Sequence, residues 1–411
     1  MFLISSTILL MQQNKNCFSC GEISLQSIYD FGDLPLVNNY YSLDEITKEE
    51  KFPLNLLVCK ICFLVQLSFF PDPKKIYSTY HHVSGASKGN VDHLNEVAKF
   101  VKILGNNKDS ILEIGSNDNT LVNKLSNFGF KCVAIDPAEN INKNLKNTIT
   151  DFFDYDLAKK LFTENKTFDI ILGLNVFAHN DTFLEMFKGC ELILNDDGIL
   201  IIEVAYALET ILKGNFDTIY HEHVCSYTLS SLEYALNTAG LYVHDVTEIN
   251  TQGGSIRVIA KKEKLIDKTI SHKKIENREE DAGVKKIQFY NSVSYNIEKK
   301  INNINKLFIK ERNKKFLILG SPARGVVTLN VSNRLINNES IILDDTLEKQ
   351  NKVMPGIHLP VKKWEDAQFG DFDRVLILSW NYKDDLIERL KETSFKGKAF
   401  IPFPDLIEIE V

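Results

Sequence analysis

The sequence predicts an α/β chain in three parts: a small N-terminal β module built on four cysteines, a central doubly wound sheet, and a C-terminal Rossmann-like α/β layer. Three observations predict it. Cys17-x-x-Cys20 and Cys59-x-x-Cys62 form two knuckles, strands alternate with helices from Ser110 to Tyr206, and a second strand–glycine turn–helix unit opens at Lys315. Such alternation builds a parallel sheet with helices on both faces, and functional residues then gather at the carboxyl ends of its strands.

Composition narrows the classes. The 411 residues allow two to four domains, at about 100–200 residues each. Hydrophobic residues at 44% and charged residues at 25% are an ordinary globular mix. The formal net charge of −7 argues against a nucleic acid as partner, because phosphate binding needs clustered Lys and Arg. No apolar run approaches the roughly 20 residues that span a bilayer, so no membrane partner is expected. Residues 1–10 (MFLISSTILL) lack a basic leader and a small-residue cleavage site. Met11 is the expected start, with a buried N-terminal strand as the alternative, and the expected location is cytoplasmic.

The N-terminal module is expected over residues 1–75. Cytosolic chains seldom keep structural disulfides, and two CxxC knuckles suit tetrahedral zinc. Cys17, Cys20, Cys59 and Cys62 are the expected ligands. Four protein thiolates leave no open position, so that zinc is structural. Residues 21–58 can hold a small sheet between the pairs.

The central domain is expected over residues 76–261. A helical pattern (VDHLNEVAKFVKIL) precedes the strand Ser110–Ile114, which runs through Glu113-Ile-Gly115-Ser-Asn117-Asp118 into a helix. Gly115 allows close backbone approach, and the helix N-terminus offers unpaired N–H groups. The next strand (FKCVAIDP) ends in Asp136 and Pro137, where an acid can take a ribose diol. The three-glycine pyrophosphate fingerprint is missing, so the pattern fits S-adenosylmethionine better than a dinucleotide, a parallel sheet without ligand being the alternative. The strand FDIILGL leads to Asn175 and His179, and GILIIEVAY brings Glu203 and Tyr206 to a strand end.

The densest polar cluster follows: Phe216-Asp-Thr-Ile-Tyr220-His221-Glu222-His223. In an extended segment His221 and His223 would share one face and Tyr220 and Glu222 the other. The segment can be read as a metal site, as a solvated His-rich loop, or as a general-base site in which imidazole, carboxylate and phenol cooperate. A strand pair around Gly253-Gly254 then places Arg257 in the cleft or on the surface.

Residues 262–312, rich in Lys, Glu and Asn with helical spacing, are expected as a helical linker, and residues 313–411 as the C-terminal domain. There Gly320-Ser321-Pro-Ala-Arg324-Gly325 can hold a pyrophosphate at a helix N-terminus.

Seven of these stretches, in this order, resemble the three-domain sugar C-methyltransferases of deoxysugar pathways. They are the paired knuckles; Glu113-Ile-Gly-Ser-Asn-Asp118; Asn175-Val-Phe-Ala-His179; Phe216 to His223; Gly253-Gly-Ser-Ile-Arg257; the Gly320 turn; and Asp344-Asp345 with Pro355-Gly356. The resemblance implies a zinc module, a central S-adenosylmethionine methyltransferase sheet, and a Rossmann-like domain that helps to hold a nucleotide-linked keto-deoxysugar. It implies methylation at the ring carbon beside the ketone, taken as carbon 3, through a base-generated enolate. His223 is then the base, with Tyr220, Glu222 and His179 in support. Glu113, Gly115, Asn117, Asp136, Pro137, Phe152 and Asn175 are expected on the cofactor. Tyr80, His82, Tyr206, His221, Arg257, Ser321 and Arg324 are expected on the substrate. Asn119, Gln252 and His82 depart from the family's usual Gly, His and Tyr; Asn tolerates the left-handed conformation that Gly supplies. An O- or N-methyltransferase acting on a sugar, and a non-catalytic nucleotide-sugar-binding protein, remain alternatives. The oligomeric state is open, and a monomer is compatible with the sequence.

Overall fold

The computed structural model describes residues 15–411 apart from 78, 79, 81, 82, 107, 108, 143, 144, 252 and 333–335. The expectations for Met11, His82 and Gln252 therefore lie outside the described residues. Strands run in chain order as β1 (Leu25–Pro35), β2 (Lys51–Cys59), β3 (Val65–Leu67), β4 (Ser110–Ile114), β5 (Lys131–Ile135), β6 (Thr148–Ile149), β7 (Phe168–Leu174), β8 (Leu194–Ala205) and β9 (Cys225–Ser226). They continue as β10 (Tyr242–Ile249), β11 (Ser255–Lys261), β12 (Phe316–Leu319), β13 (Ile341–Leu343), β14 (Val361–Lys362), β15 (Arg374–Ile377), β16 (Lys398–Ile401) and β17 (Ile407–Glu410).

Among the described residues these strands form three sheets, and the α/β reading holds. The central sheet has the order β10-β11-β8-β7-β4-β5-β6. β8, β7, β4, β5 and β6 are parallel, whereas β11 lies antiparallel to both β8 and β10. Order reverses between β4 and β7, so a crevice opens at their carboxyl ends. The helix Lys88–Leu104 covers this sheet with Leu94, Val97, Ala98 and Val101, one helical face, and Ser87 caps it by accepting the Asn90 N–H. Its apolar face joins Ile111, Leu172 and Ile201 of the sheet in one cluster.

The C-terminal sheet, ordered β14-β13-β12-β15-β16-β17, is parallel except for β17. It has its own reversal, between β12 and β15. Two helices, Ile270–Ala282 and Ile287–Lys310, connect the two sheets, and the second buries Tyr290, Val293, Ile297, Ile304 and Phe308.

The first sheet, β1-β2-β3-β9, holds an element that the local pattern did not announce. β9 comes from the polar cluster of the central region and pairs antiparallel with β3, Val65 opposite Ser226 and Gln66 opposite Cys225. The Leu67 N–H donates to the Val224 carbonyl at 2.9 Å. The N-terminal module thus grips the segment that carries the Tyr-His-Glu-His run.

Candidate active site

The carboxyl ends of the central and C-terminal sheets open on one cleft of about 1400 Å³. Single-ligand pockets run to roughly 300–1,000 Å³, so this one has room for two reactants side by side. Its central-sheet wall includes Glu113, Gly115, Asn117, Asp136, Pro137, Phe152 and Asn175, and all seven expected cofactor positions therefore face it.

Gly115 has φ +72°, and a Cβ there would meet Val176 Cγ2 at 3.0 Å, so the turn needs glycine. Asn117 (φ 51°) and Asn119 (φ 60°) take left-handed conformations, as expected of Asn at such positions. Asp136 partly secures the turn itself: its carboxylate accepts the Asn117 N–H at 2.8 Å and the Ala138 N–H at 2.9 Å. Each carboxylate oxygen keeps further lone-pair capacity for a diol. Glu113 is buried, and burial together with the charges of Asp118 and Asp136 raises its carboxyl well above the usual range. One Glu113 oxygen lacks a hydrogen-bond partner among the described residues and suits a donor on a bound molecule.

The Tyr220–His223 segment is a turn rather than the expected extended run: the His223 N–H donates to the Tyr220 carbonyl at 2.8 Å. The consequence is chemical. The His223 Nδ1–H donates to the Thr218 carbonyl at 2.7 Å, which leaves the Nε2 lone pair to accept the Tyr220 hydroxyl at 2.9 Å. A carbonyl can only accept, so the ring is held in one tautomer with Nε2 as the basic atom. Burial and the Arg324 charge lower His223 to about 4, so the imidazole is neutral around pH 7. Burial and Glu222 raise the Tyr220 phenol, which keeps its proton to donate. The His179 ring lies 5.1 Å from that of His223 and 6.0 Å from that of Tyr77.

Five of the expected site residues have other partners. Glu222 does not orient the His223 ring; its oxygens accept from Asn38 Nδ2 at 2.6 Å and from the Tyr80 hydroxyl at 3.2 Å. His221 turns away from the cleft, 1% exposed, with Nε2 at 3.2 Å from the Phe52 carbonyl and 3.3 Å from that of Pro53. Tyr206 is fully buried and donates to Glu279 Oε1 at 3.0 Å. Arg257 lies opposite Glu203 across β11 and β8, pairs with its carboxylate at 2.6 Å, and rests over Phe100. Ser321 sits at the C-terminal glycine turn, but its side chain and carbonyl are both engaged by the Tyr40 hydroxyl, at 2.6 and 2.7 Å. Tyr80 and Arg324 do line the cleft.

The sequence reading missed Asn38, Tyr77, His93 and Lys349. Nothing in the sequence around Asn38 or Tyr77 assigns either residue a partner. His93 occupies a polar position of an amphipathic helix, a pattern that surface histidines share, yet it contacts Glu203 Oε2 at 2.7 Å. Lys349 donates to the Ser321 carbonyl at 2.8 Å from an irregular stretch.

Cys17, Cys20, Cys59 and Cys62 place their sulfurs within 4.8 Å of one another, with Cys17–Cys62 at 3.4 Å and Cys20–Cys59 at 3.5 Å. Tetrahedral zinc with Zn–S of about 2.3 Å has sulfur–sulfur edges of about 3.8 Å, so the four fit it.

Glu222 yields a pH test. Burial raises its carboxyl from 4.5 to about 7. Between those values the folded chain holds a proton that the unfolded chain has released, so stability falls as pH rises through the window. His223 acts oppositely, its contribution present above 6.5 and lost as pH falls through about 4. Denaturant unfolding across the window should show the stability of wild type relative to Glu222→Gln falling as pH rises; a difference that does not change with pH would contradict this environment for Glu222.

Three family models match successive stretches: "Putative zinc binding domain" over residues 17–77, "Methyltransferase domain" over 90–246, and "C-methyltransferase C-terminal domain" over 250–404. The C-methyltransferase NovU of Streptomyces niveus is 27% identical over 402 residues, 95% of each chain. Two solved structures are similar to part of the chain. The PH0226 protein of Pyrococcus horikoshii OT3 is 14% identical with a TM-score of 0.37, covering 47% of this chain and 99% of that one. Magnesium protoporphyrin IX methyltransferase from Synechocystis PCC 6803, with bound SAH, is 15% identical with a TM-score of 0.34, covering 42% and 83%. Likeness this remote carries nothing about chemistry.

Proposed function

Because the chain belongs to the three-domain S-adenosylmethionine-dependent C-methyltransferases, we propose that it methylates the carbon beside the ketone of a nucleotide-linked keto-deoxysugar, carbon 3, through an enolate. The observation that carries this reading is a neutral imidazole, its Nε2 lone pair aimed at a phenol that keeps its proton, beside a cleft with room for two reactants. S-adenosylmethionine supplies the methyl group, and the central-sheet wall from Glu113 to Asn175 is its side of the cleft. Zinc belongs to the four cysteines and takes no part in the chemistry.

In this reading the Tyr220 hydroxyl turns from His223 Nε2 to the substrate's carbonyl oxygen, which frees the lone pair. Nε2 then takes the α proton as Tyr220 stabilises the developing oxyanion. With S-adenosylmethionine bound, its methyl group would pass to the enolate carbon, the carbon–sulfur bond breaking as the carbon–carbon bond forms. Most of the rate comes from holding two reactants in line. Glu222, Tyr80 and His179 shape the sugar subsite. On the other wall, Arg324 and Lys349 supply positive charge for a diphosphate.

The test is incubation with a panel of nucleotide-linked 4-keto-sugars and labelled methyl donor, with the product bond read by NMR. A new carbon–carbon bond beside the ketone is expected; label on oxygen or nitrogen would contradict the enolate. In the same assay Asp136→Ala should weaken cofactor affinity about 10- to 100-fold, the equivalent of roughly 1.5–3 kcal/mol for a charged hydrogen bond. Unchanged affinity by calorimetry would remove Asp136 from the cofactor.

A further inference from the structure

The atom that fixes the His223 tautomer belongs to a short turn, Phe216–Thr218, and that turn is held from the C-terminal half of the chain. Asp217 is fully buried, and its Oδ2 accepts the Trp380 indole N–H at 3.0 Å. Trp380 stands just beyond β15, at the reversal of the C-terminal sheet, beside the Gly320 turn. The approach is close: a Cβ on Gly320 (φ +84°) would lie 1.8 Å from Ser379 Oγ.

Burial raises the Asp217 carboxyl above its ordinary range, and the charge of Arg324, whose guanidinium lies 5.2 Å from the centre of the Trp380 ring, offsets only part of that rise. On the other side Lys300, from the helix Ile287–Lys310, donates to Asn215 Oδ1 at 3.2 Å. Thr218 itself donates from Oγ1 to the Asn215 carbonyl at 2.9 Å, which closes the turn. The Thr218 carbonyl is left facing His223 Nδ1.

We propose that Asp217 is a positioning residue for the base: through Trp380 it ties the C-terminal domain to the Thr218 carbonyl, so that this domain decides which nitrogen of His223 carries the proton. The proposal rests on the reading of His223 as the base, and it adds a role that the sugar-holding function of the C-terminal domain does not include. Asp217 touches neither reactant. A residue one turn away sets the carbonyl, the carbonyl sets the ring, and the ring's Nε2 is the reactive atom. An imidazole released into the wrong tautomer costs up to about 10⁴-fold in turnover in a hydrolase triad. A loosened hydrogen bond that still forms part of the time costs less.

The experiment uses the full-length zinc-loaded protein and four forms: wild type, Trp380→Phe, Asp217→Asn and Asp217→Leu. Nitrogen-15 NMR on histidine-labelled protein reads the tautomer without substrate, with His223→Asn assigning the signal. Wild type should show Nδ1–H, and Asp217→Asn should keep it, because a carboxamide oxygen still accepts from Trp380. Trp380→Phe and Asp217→Leu should shift the signal toward Nε2–H and lower turnover about 10- to 100-fold, with KM and cofactor affinity unchanged. An Nδ1–H signal retained in both disruptive variants would overturn the proposal. So would a loss of turnover matched by equal losses of melting temperature and cofactor affinity, which marks a merely structural residue. Wild type that shows Nδ1–H but no turnover with any keto-sugar would count against the proposed function and leave the tautomer result standing.

Discussion

His223→Asn should lower turnover by about 10²–10⁴-fold, the usual share of general-base catalysis, and leave cofactor affinity unchanged. Two features of the site support so specific a loss. The imidazole is neutral at working pH because burial and Arg324 lower it to about 4. Its Nε2 is the acceptor because the Thr218 carbonyl occupies Nδ1–H. Asparagine can still donate to that carbonyl, so the turn survives while the base is gone. His221→Asn should cost far less in turnover, since its ring faces the Phe52 and Pro53 carbonyls instead of the cleft. Steady-state rates and titration calorimetry on both variants check this. Near-native turnover in His223→Asn would pass the role of base to another group.

Removing zinc should be the most damaging change to the fold. Structural zinc sites of this kind contribute apparent binding free energies of about 10–16 kcal/mol, and here the module does more than stand beside the active site. The Phe18 N–H donates to Gln66 Oε1 at 2.9 Å, Gln66 lies opposite Cys225, and Asn38 reaches Glu222. Loss of the four-sulfur cluster should therefore release β9 and the Tyr220–His223 turn before the Gly115 turn is disturbed. One zinc per chain is expected by metal analysis, falling in Cys17→Ser/Cys59→Ser. Hydrogen exchange after chelation should rise first in residues 51–67 and 225–226, with turnover lost at a stage when cofactor affinity persists. Full zinc in the double variant, or a chelated protein that keeps its turnover, would contradict this.

The features legible in the sequence are those that local chemistry encodes. The knuckles, the Gly115 turn and the acid ending β5 each follow from residue types at short spacing, and all of them reach the positions expected. Features set by distant partners were not legible. Tyr220 to His223 reads as an extended run, because alternating polar residues carry no turn signal of their own. The turn follows from the grip of β9 on β3, more than 150 positions away in the chain. Glu222 stands next to His223 in sequence, yet Asn38 takes it, and a carbonyl from Thr218 does the work expected of the carboxylate. Tyr206 and Arg257 sit at or opposite the end of β8, where strand-end logic places function, but Glu279 of the helix Ile270–Ala282 takes the Tyr206 hydroxyl, and Glu203 takes Arg257 across from β11. The parallel-sheet rule locates the crevice and does not say which strand-end residues a later strand will bury.

The central claim is that His223 generates an enolate before the methyl group moves. The most direct measurement is deuterium exchange at the carbon beside the ketone, followed by NMR in heavy water with a nucleotide-linked keto-sugar and no methyl donor. The account predicts exchange at that carbon alone with wild type and a loss of about 10²-fold or more with His223→Asn. Methyl transfer without any such exchange, or exchange undiminished in the variant, would contradict it.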